Sequence, residues 1–502
     1  MSYSKIIHAA IEAFKQNFNT ICQNSGFVFD KLDDNSFKKM TAALMEAARC
    51  AGKAGLEQFL KQHDIMSPTI EKNGSVLRYK GTSPKELLTL FGTIPTSRAM
   101  YYDEKNGGEY HFPLDSALGL DKDDFATLEA REMILFASAS CVPRELSVLL
   151  EKCSLCNPSK TAIQNIINRD GMVMESIREP LAHETVKEWQ IPATTQAVVA
   201  SLDGVNVLLR QSGKKKGRKN KRPVENDTRD STTSYHNAMV GAVSLYGVDS
   251  ENMPERLSSV YTARMPEKKS TEFKSDFLRM LTVVEEKIPV QVNPAIPKIL
   301  LTDGHLMIKG FAKGSKQLHS YEKLLDFYHA TEHLSKAANA MYGEKSDFSK
   351  AYYTKWRDRL KTDSTAPNAI HRSLVGFQKR YPMSEKRKKD LKTEITFFRK
   401  NKKLMKYYDF IQRGLPIGSG PIEAAAKTIV RQRMCRSGMS WSTEKGQYVL
   451  TLRAYVQSGL WDIVWENYKL PAGLFPACLR HRPGFPAIPQ TLSLHTRFWL
   501  LP

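Results

Sequence analysis

The sequence predicts a mixed α/β core, a mixed sheet flanked by helices, together with a mainly helical N-terminal region and an all-α insertion. Three observations lead there. From Gln196 to about residue 342, strand-length apolar runs alternate with helix-length ones. Two of those strand runs carry a lone aspartate, Asp203 in AVVASLDGVNVLLR and Asp303 in IPKILLTDGH. Residues 1 to about 70 and 343–410 read as helical instead.

In chain order, the N-terminal α+β region (1–120) opens with helices, clearest in MTAALMEAARCAGKAGLEQFLKQH. Val76–Tyr102 turns strand-like, with LLTLFGTIPTSRAMYYD as a strand pair. A Gly/Asp/Asn-rich turn at Asp103–Glu109 follows, then a loop through Pro113 and Asp115. Residues 121–190 form a helical region in which 122–171 read as three helices. In the third, NPSKTAIQNIINRDG, Asn157 suits an N-cap, Pro158 the first helical position and Gly171 the terminus. Ala162, Ile163, Ile166 and Ile167 make the apolar stripe, with Ser159, Lys160, Gln164, Asn165 and Arg169 opposite. Small polar donors and acceptors on one face are what a helix-turn-helix recognition helix offers the major groove. An ordinary helical hairpin with a solvated face has the same pattern.

The first part of the core (191–342) begins with the Asp203 strand. A basic run, SGKKKGRKNKRPVENDTRDSTTS, follows; it reads as a loop near a phosphate backbone or as a plain solvated linker. Strands YHNAMVGAVSLYG and RLSSVYTARM come next, then a helix across TEFKSDFLRMLTVVEEK. The Asp303 strand with its helix, and YEKLLDFYHATEHLSKAANAMYG, complete the order β-β-β-α-β-α-β-α, which is that of a ribonuclease H-like fold. The insertion (343–410) is heavily basic, as in KWRDRLK, EKRKKDLK and FFRKNKKLMKYY. Its Trp356, Phe377 and Phe397 read as local core or as surfaces for stacking bases. In the second part of the core (411–468) a Gly/Pro turn, RGLPIGSGP, opens a helix near Pro421. Residues 469–502 are Pro-rich and read as an appended tail, a candidate for disorder.

Composition narrows the function classes. The 502 residues suggest about three domains. With 74 Lys+Arg against 53 Asp+Glu, the formal net charge is +21. That surplus favours a polyanionic partner, nucleic acid first and an acidic membrane surface second. No apolar run approaches the roughly 18 residues a spanning helix needs. The amphipathic start, MSYSKIIHAAIEAFKQNF, lacks a signal-peptide core, so a cytoplasmic protein is expected. Seven scattered cysteines do not suggest a disulfide framework. Cys153 and Cys156 have ligand spacing, but no second pair completes a zinc site of about four ligands.

Phosphodiester cleavage by two metal ions needs carboxylates that hold hard cations about 3.5–4 Å apart. Asp suits the strands, where a short side chain fixes the ion, and a longer Glu reaches in from a helix. Asp203 lies mid-way along the first strand, Asp303 closes the fourth, and Glu423 falls in the first turn of the later helix. Lys427 and Arg431 follow Glu423 at i+4 and i+8, where phosphates would lie. Arg433, Arg436 and Trp441 complete the expected DNA contacts. Each acid also has a plainer reading: Glu423 complements a helix dipole or pairs with Lys427, and Asp203 and Asp303 each precede a glycine and shape a turn.

LDGVNV, LTDGH, DFYHATEHL and above all the run from PIGSGPIEAAAK through RSGMSWS to LRAYVQSGLWDIVW resemble the ISKra-type bacterial insertion-sequence transposases. RLSSVYTARMPE and PLDSALGL carry the same resemblance, which extends from roughly residue 85 to 468. It implies a DDE-type enzyme with Asp203, Asp303 and Glu423 as catalytic acids and metal ligands for two Mg²⁺ or Mn²⁺ ions. It also implies that 343–410 is inserted between the second Asp and the Glu. Asp326 and His329 match an Asp/Cys-x-x-His signature; with His333 they are expected to position metal or DNA end. Double-stranded DNA, both element ends and target, is the implied partner, gripped by a DNA-assembled homodimer. The sequence departs from the family where members often carry a Cys pair after the position of Tyr101–Tyr102; DEKNGGEYHF stands there.

Three other readings compete. His329, Glu332 and His333 spell H-x-x-E-H, the zinc motif of inverted-zincin proteases, though no third ligand is evident. A transposase-derived protein could bind DNA without cutting it, and a metal-dependent nuclease could cut without joining.

Overall fold

A computed structural model describes residues 3–24, 33–72, 74–103, 110–121, 123–153, 156–210, 233–291, 296–418 and 420–469. The chain divides into two compact units, Met1–Asp170 and Gly171–Pro502. The basic run at 211–232, most of the turn before Tyr110 and the tail from 470 lie outside the described residues.

In the first unit, α1 (Tyr3–Asn24) packs on α2 (Asp34–His63). Asp33 starts α2 by accepting a hydrogen bond from the Ser36 amide, a capping box. An antiparallel sheet follows in the order β1 (Thr69–Lys72), β2 (Ser75–Thr89), β3 (Gly92–Tyr102), β4 (Tyr110–His111). The expected strand pair is the β2–β3 hairpin, closed at Thr89↔Gly92 with Gly92 at φ 100°. The expected loop at Pro113 is instead a short helix, α3 (Pro113–Ala117), because proline fits a first helical turn. Its Asp115 is buried and paired with Arg98 and, at 3.1 Å, with Lys85. The three expected helices are α4 (Leu128–Ser138), α5 (Pro143–Cys153) and α6 (Lys160–Ser176).

Two expectations about α6 are corrected. Ser159, not Asn157, caps it: its Oγ accepts from the Ala162 amide at 3.1 Å. The helix also runs past Gly171 to Ser176. A Cβ at Gly171 would fall 2.5 Å from Cβ of Tyr448, so the glycine serves a close approach rather than a helix end.

The second unit opens with α7 (Arg178–Glu188). Then come β5 (Ala197–Arg210), β6 (Thr233–Val248), β7 (Pro254–Arg264), α8 (Thr271–Gln291), β8 (Lys298–Thr302), α9 (Leu306–Gly314), β9 (Glu322–Leu325) and α10 (Phe327–Tyr342). The sheet order is β7-β6-β5-β8-β9, antiparallel across β7, β6 and β5, parallel across β5, β8 and β9. This five-stranded mixed sheet flanked by helices is compatible with the expected ribonuclease H-like arrangement.

Period-two alternation sorts the sheet's two faces. Val198, Ala200, Leu202 and Leu300 pack with Phe273, Phe277 and Leu281 of α8 and Ile308 of α9. Ala197, Val199, Ile299 and Leu301 face α10 and the helices after it: α11 (Asp347–Thr362), α12 (Ala366–Arg380), α13 (Glu385–Asn401) and α14 (Tyr407–Gln412). Trp356, Ile370, Leu391 and Phe398 of the insertion share one apolar cluster with Val199 and Leu301, so the insertion is a layer on the sheet. Trp356 is therefore core. The chain continues with α15 (Gly420–Ala425), a π-helical turn at Ala426–Arg431, α16 (Gln432–Met434), α17 (Thr443–Gln457) and α18 (Trp461–Lys469). Among the described residues, no helix is long and apolar enough to cross a membrane.

Candidate active site

The parallel ladder between β5 and β8 pairs Val198 with Lys298 and ends at Ser201↔Leu301. Asp203 and Asp303 each stand two residues beyond that last pair, Asp203 within β5 and Asp303 just past the end of β8. Alternation along β5 puts Asp203 on the face of Val199, the one covered by α10 and the insertion. Asp203 Oδ1 accepts from the Gly204 amide at 2.7 Å. Asp303 Oδ1 accepts from the His305 amide at 2.7 Å, and Thr302 Oγ1 from the Gly304 amide at 3.0 Å. Gly304 has φ 83°, which lets the chain leave β8 sharply and begin α9.

Glu423 is exposed in the first turn of α15, and α15 lies against β5 and β6. Burial holds the Asp203 carboxyl above the usual carboxylate range; the charges of Asp303 and Glu423 raise it further, while the Gly204 amide and Arg431 oppose them. The fields of all three acids and of Arg431 thus meet at Asp203. Lys427 and Arg431 are exposed beyond Glu423. They lie within the π-helical turn, so the helix is not the uniform α-helix that i+4 and i+8 spacing assumes.

Hard divalent cations take carboxylate oxygens, and in chemistry this donor set fits them. In spacing it is open. Among the described residues no group of three or more His, Cys, Asp or Glu stands close enough to hold a metal ion. The three acids share a field without forming a closed coordination shell.

Asp326 is buried and caps α10, accepting from the His329 amide at 2.6 Å, so its x-x-His spacing has a helix-start geometry. The His329 and His333 rings lie 4.9 Å apart. His333 stacks on Phe397 with ring centroids 3.5 Å apart, and its Nδ1 is 2.6 Å from Oε2 of the buried Glu394. Glu332, the would-be protease base, is exposed. His333 is thus engaged by the insertion rather than poised in an H-x-x-E-H zinc site. Glu394 gave no local signal and Phe397 read only as core or a stacking surface, since both reach His333 through the packing of α13 on α10.

The expected DNA contacts fall into two groups. Lys160 and Asn165 are exposed on α6; Ser159 is exposed but serves as its cap. Gln164 donates to Asn168 at 2.9 Å, and Arg169 pairs with Asp121 at 2.9 Å and with Asp124. Arg436 is exposed, its Nε donating to the Gln432 carbonyl at 3.0 Å. Arg433 is corrected: it is 1% exposed, with its guanidinium 5.4 Å from the Trp441 ring centroid, and a side chain so enclosed supports packing rather than DNA. Trp441 Nε1 donates to the Met434 carbonyl at 2.8 Å, and its backbone bridges to Leu208 and Arg210 of β5.

No known family profile matches the chain, and no curated protein does. Among solved structures, the strand transfer complex of the Drosophila P element transposase is similar over 71% of this chain and 84% of that one, at 12% identity and a TM-score of 0.22. A likeness that loose carries no equivalence between residues.

Proposed function

We propose that this chain is a DNA transposase, in which Asp203, Asp303 and Glu423 act together in cutting the ends of an insertion sequence and joining the freed 3′-hydroxyl to target DNA. The observation that carries the reading is the parallel pairing of β5 with β8, which sets Asp203 and Asp303 each two residues beyond Ser201↔Leu301, with α15 and its Glu423 against β5. Acids brought together against their own repulsion are typical of functional sites. The resemblance of PIGSGPIEAAAK and LTDGH to ISKra-type transposases supports the same reading. The sheet order supports a ribonuclease H-like core beneath it.

Asp203 and Asp303 would hold two Mg²⁺ or Mn²⁺ ions with Glu423 completing the set. Ions held by these carboxylates would supply activation of the attacking oxygen and charge stabilisation of the leaving one. Arg431 and Lys427 would bind the phosphates flanking the scissile bond, and the exposed lysines of α13 the backbone beyond. Lys160 and Asn165 would contribute to reading the ends. Holding two ends at once implies a homodimer assembled on DNA.

Cleavage of labelled DNA carrying the flanking ends, with Mg²⁺ or Mn²⁺, tests this against Glu423→Gln. Nicking at the ends that vanishes in the variant is expected. Salt-sensitive binding without cleavage by the wild type would favour a second reading, a transposase-derived DNA-binding protein. The open spacing of the three acids is the observation on its side.

A further inference from the structure

Asn401 is the last residue of α13, at the end of the basic insertion, and is 4% exposed. A buried amide needs partners, and this one has them beside the candidate site. Its Oδ1 accepts a hydrogen bond from Nζ of Lys309, in the first turn of α9. The same oxygen would lie 3.2 Å from a Cβ built on Gly304, and Leu325 Cδ1 2.9 Å from it. One side chain from the insertion therefore backs the turn that carries Asp303 and also holds the lysine that follows it.

Lys309 is half-buried, and its amide donates to the His305 carbonyl at 3.1 Å. Burial and the nearby Lys400 hold its ammonium below the ordinary lysine range, while Asp303 opposes them. Lys309 thus sits in the helix that leaves the Asp303 turn, with its ammonium held by Asn401.

We propose that Asn401 is a positioning residue: by bonding Lys309 and backing Gly304 it fixes the Asp303 turn and aims the Lys309 ammonium at a DNA phosphate in the same site. The insertion is then part of the site's frame as well as a track for the backbone. The phosphate role rests on the transposase reading; the fixing of the turn does not.

The test is hydrogen exchange of the segment 303–309 in the full-length chain, with cleavage and end binding measured in parallel. Asn401→Ala should speed exchange in that segment by about tenfold, the loss of roughly one hydrogen bond. Peptides from β5 should keep wild-type exchange. Asn401→Asp retains the oxygen and should restore protection. Lys309→Met breaks the same bond from a half-exposed side chain and should loosen the segment without endangering the fold. Both Asn401→Ala and Lys309→Met should lower the cleavage rate constant by about a hundredfold; end affinity should stay within about twofold in Asn401→Ala and weaken in Lys309→Met, which also loses the phosphate contact. Unchanged exchange at 303–309 would overturn the proposal, as would loosening spread over the whole second unit. A wild type that does not cleave would remove the transposase reading and the phosphate role with it, while exchange would still decide the turn.

Discussion

Asp203, within β5, and Asp303, the first residue past the end of β8, each lie two residues beyond the Ser201↔Leu301 pair of neighbouring parallel strands. Parallel neighbours need a crossover, here made through β6, β7 and α8, so the two acids meet only once that whole unit has closed.

Asp203→Asn keeps an oxygen for the Gly204 amide and removes one like charge from the group. Cleavage should disappear while end binding persists; loss of both would assign Asp203 a folding role. Without metal the variant should be more stable by ~1 kcal/mol, since acids gathered for function cost stability. The folded pKa of Asp203 lies above its unfolded value of about 3.8. Its contribution to stability is therefore complete below the unfolded value and lost as pH rises through the folded one. The Tm gap between variant and wild type should open as pH rises above the unfolded value, as thermal melts from acid to neutral pH will show.

Divalent metal should raise the Tm of the wild type more than that of Asp303→Asn. At a hundredfold excess over Kd, linkage is about 2.7 kcal/mol. A chelator should return both to their starting values. Equal shifts in the two proteins would place the ion elsewhere.

Gly304→Ala puts a side chain at φ 83° and against Leu325 and Asn401. The cost should be roughly 1–3 kcal/mol by denaturant titration. Cleavage should fall further than stability alone explains, because the Asp303 turn moves. A neutral, active variant would count against a fixed turn.

His333→Ala should destabilise by about 1–3 kcal/mol, since the buried Glu394 loses its partner. The double variant with Glu394→Gln should show coupling of about 0.5–3 kcal/mol. Zinc-dependent peptide hydrolysis abolished by His333→Ala would instead restore the protease reading.

Lys386, Lys389 and Lys392 are exposed on α13. Changing them to Gln should lower the slope of log K against log salt for duplex DNA by about 0.9 for each phosphate that is no longer neutralised. An unchanged slope would take the insertion out of the interface.

The alternation of strand and helix was legible because period two and period 3.6 are local properties of the chain. The β2–β3 hairpin, the helices α4, α5 and α6 and the order of strands along the chain from Ala197 all follow from it. Asp203 stood out as a lone acid within a strand, and Asp303 and Glu423 as acids at the ends of such elements. Gly171, read locally, looked like a helix stop, and only the Tyr448 ring explains it. Arg433 read as one more cation in a basic stretch until its burial was known.

By itself, then, the sequence determined which segments are strands and helices, the surplus of positive charge, and which acids are chemically suited to hard cations. Only the tertiary structure decided that the strands of Asp203 and Asp303 pair side by side, that Asp326 caps a helix, that His333 belongs to Glu394 and Phe397, and that Asn401 reaches the Asp303 turn. The reason is physical. Local periodicity specifies which face a side chain takes, whereas its partner comes from an element that folding brings alongside, and short-range pattern carries no record of that distance.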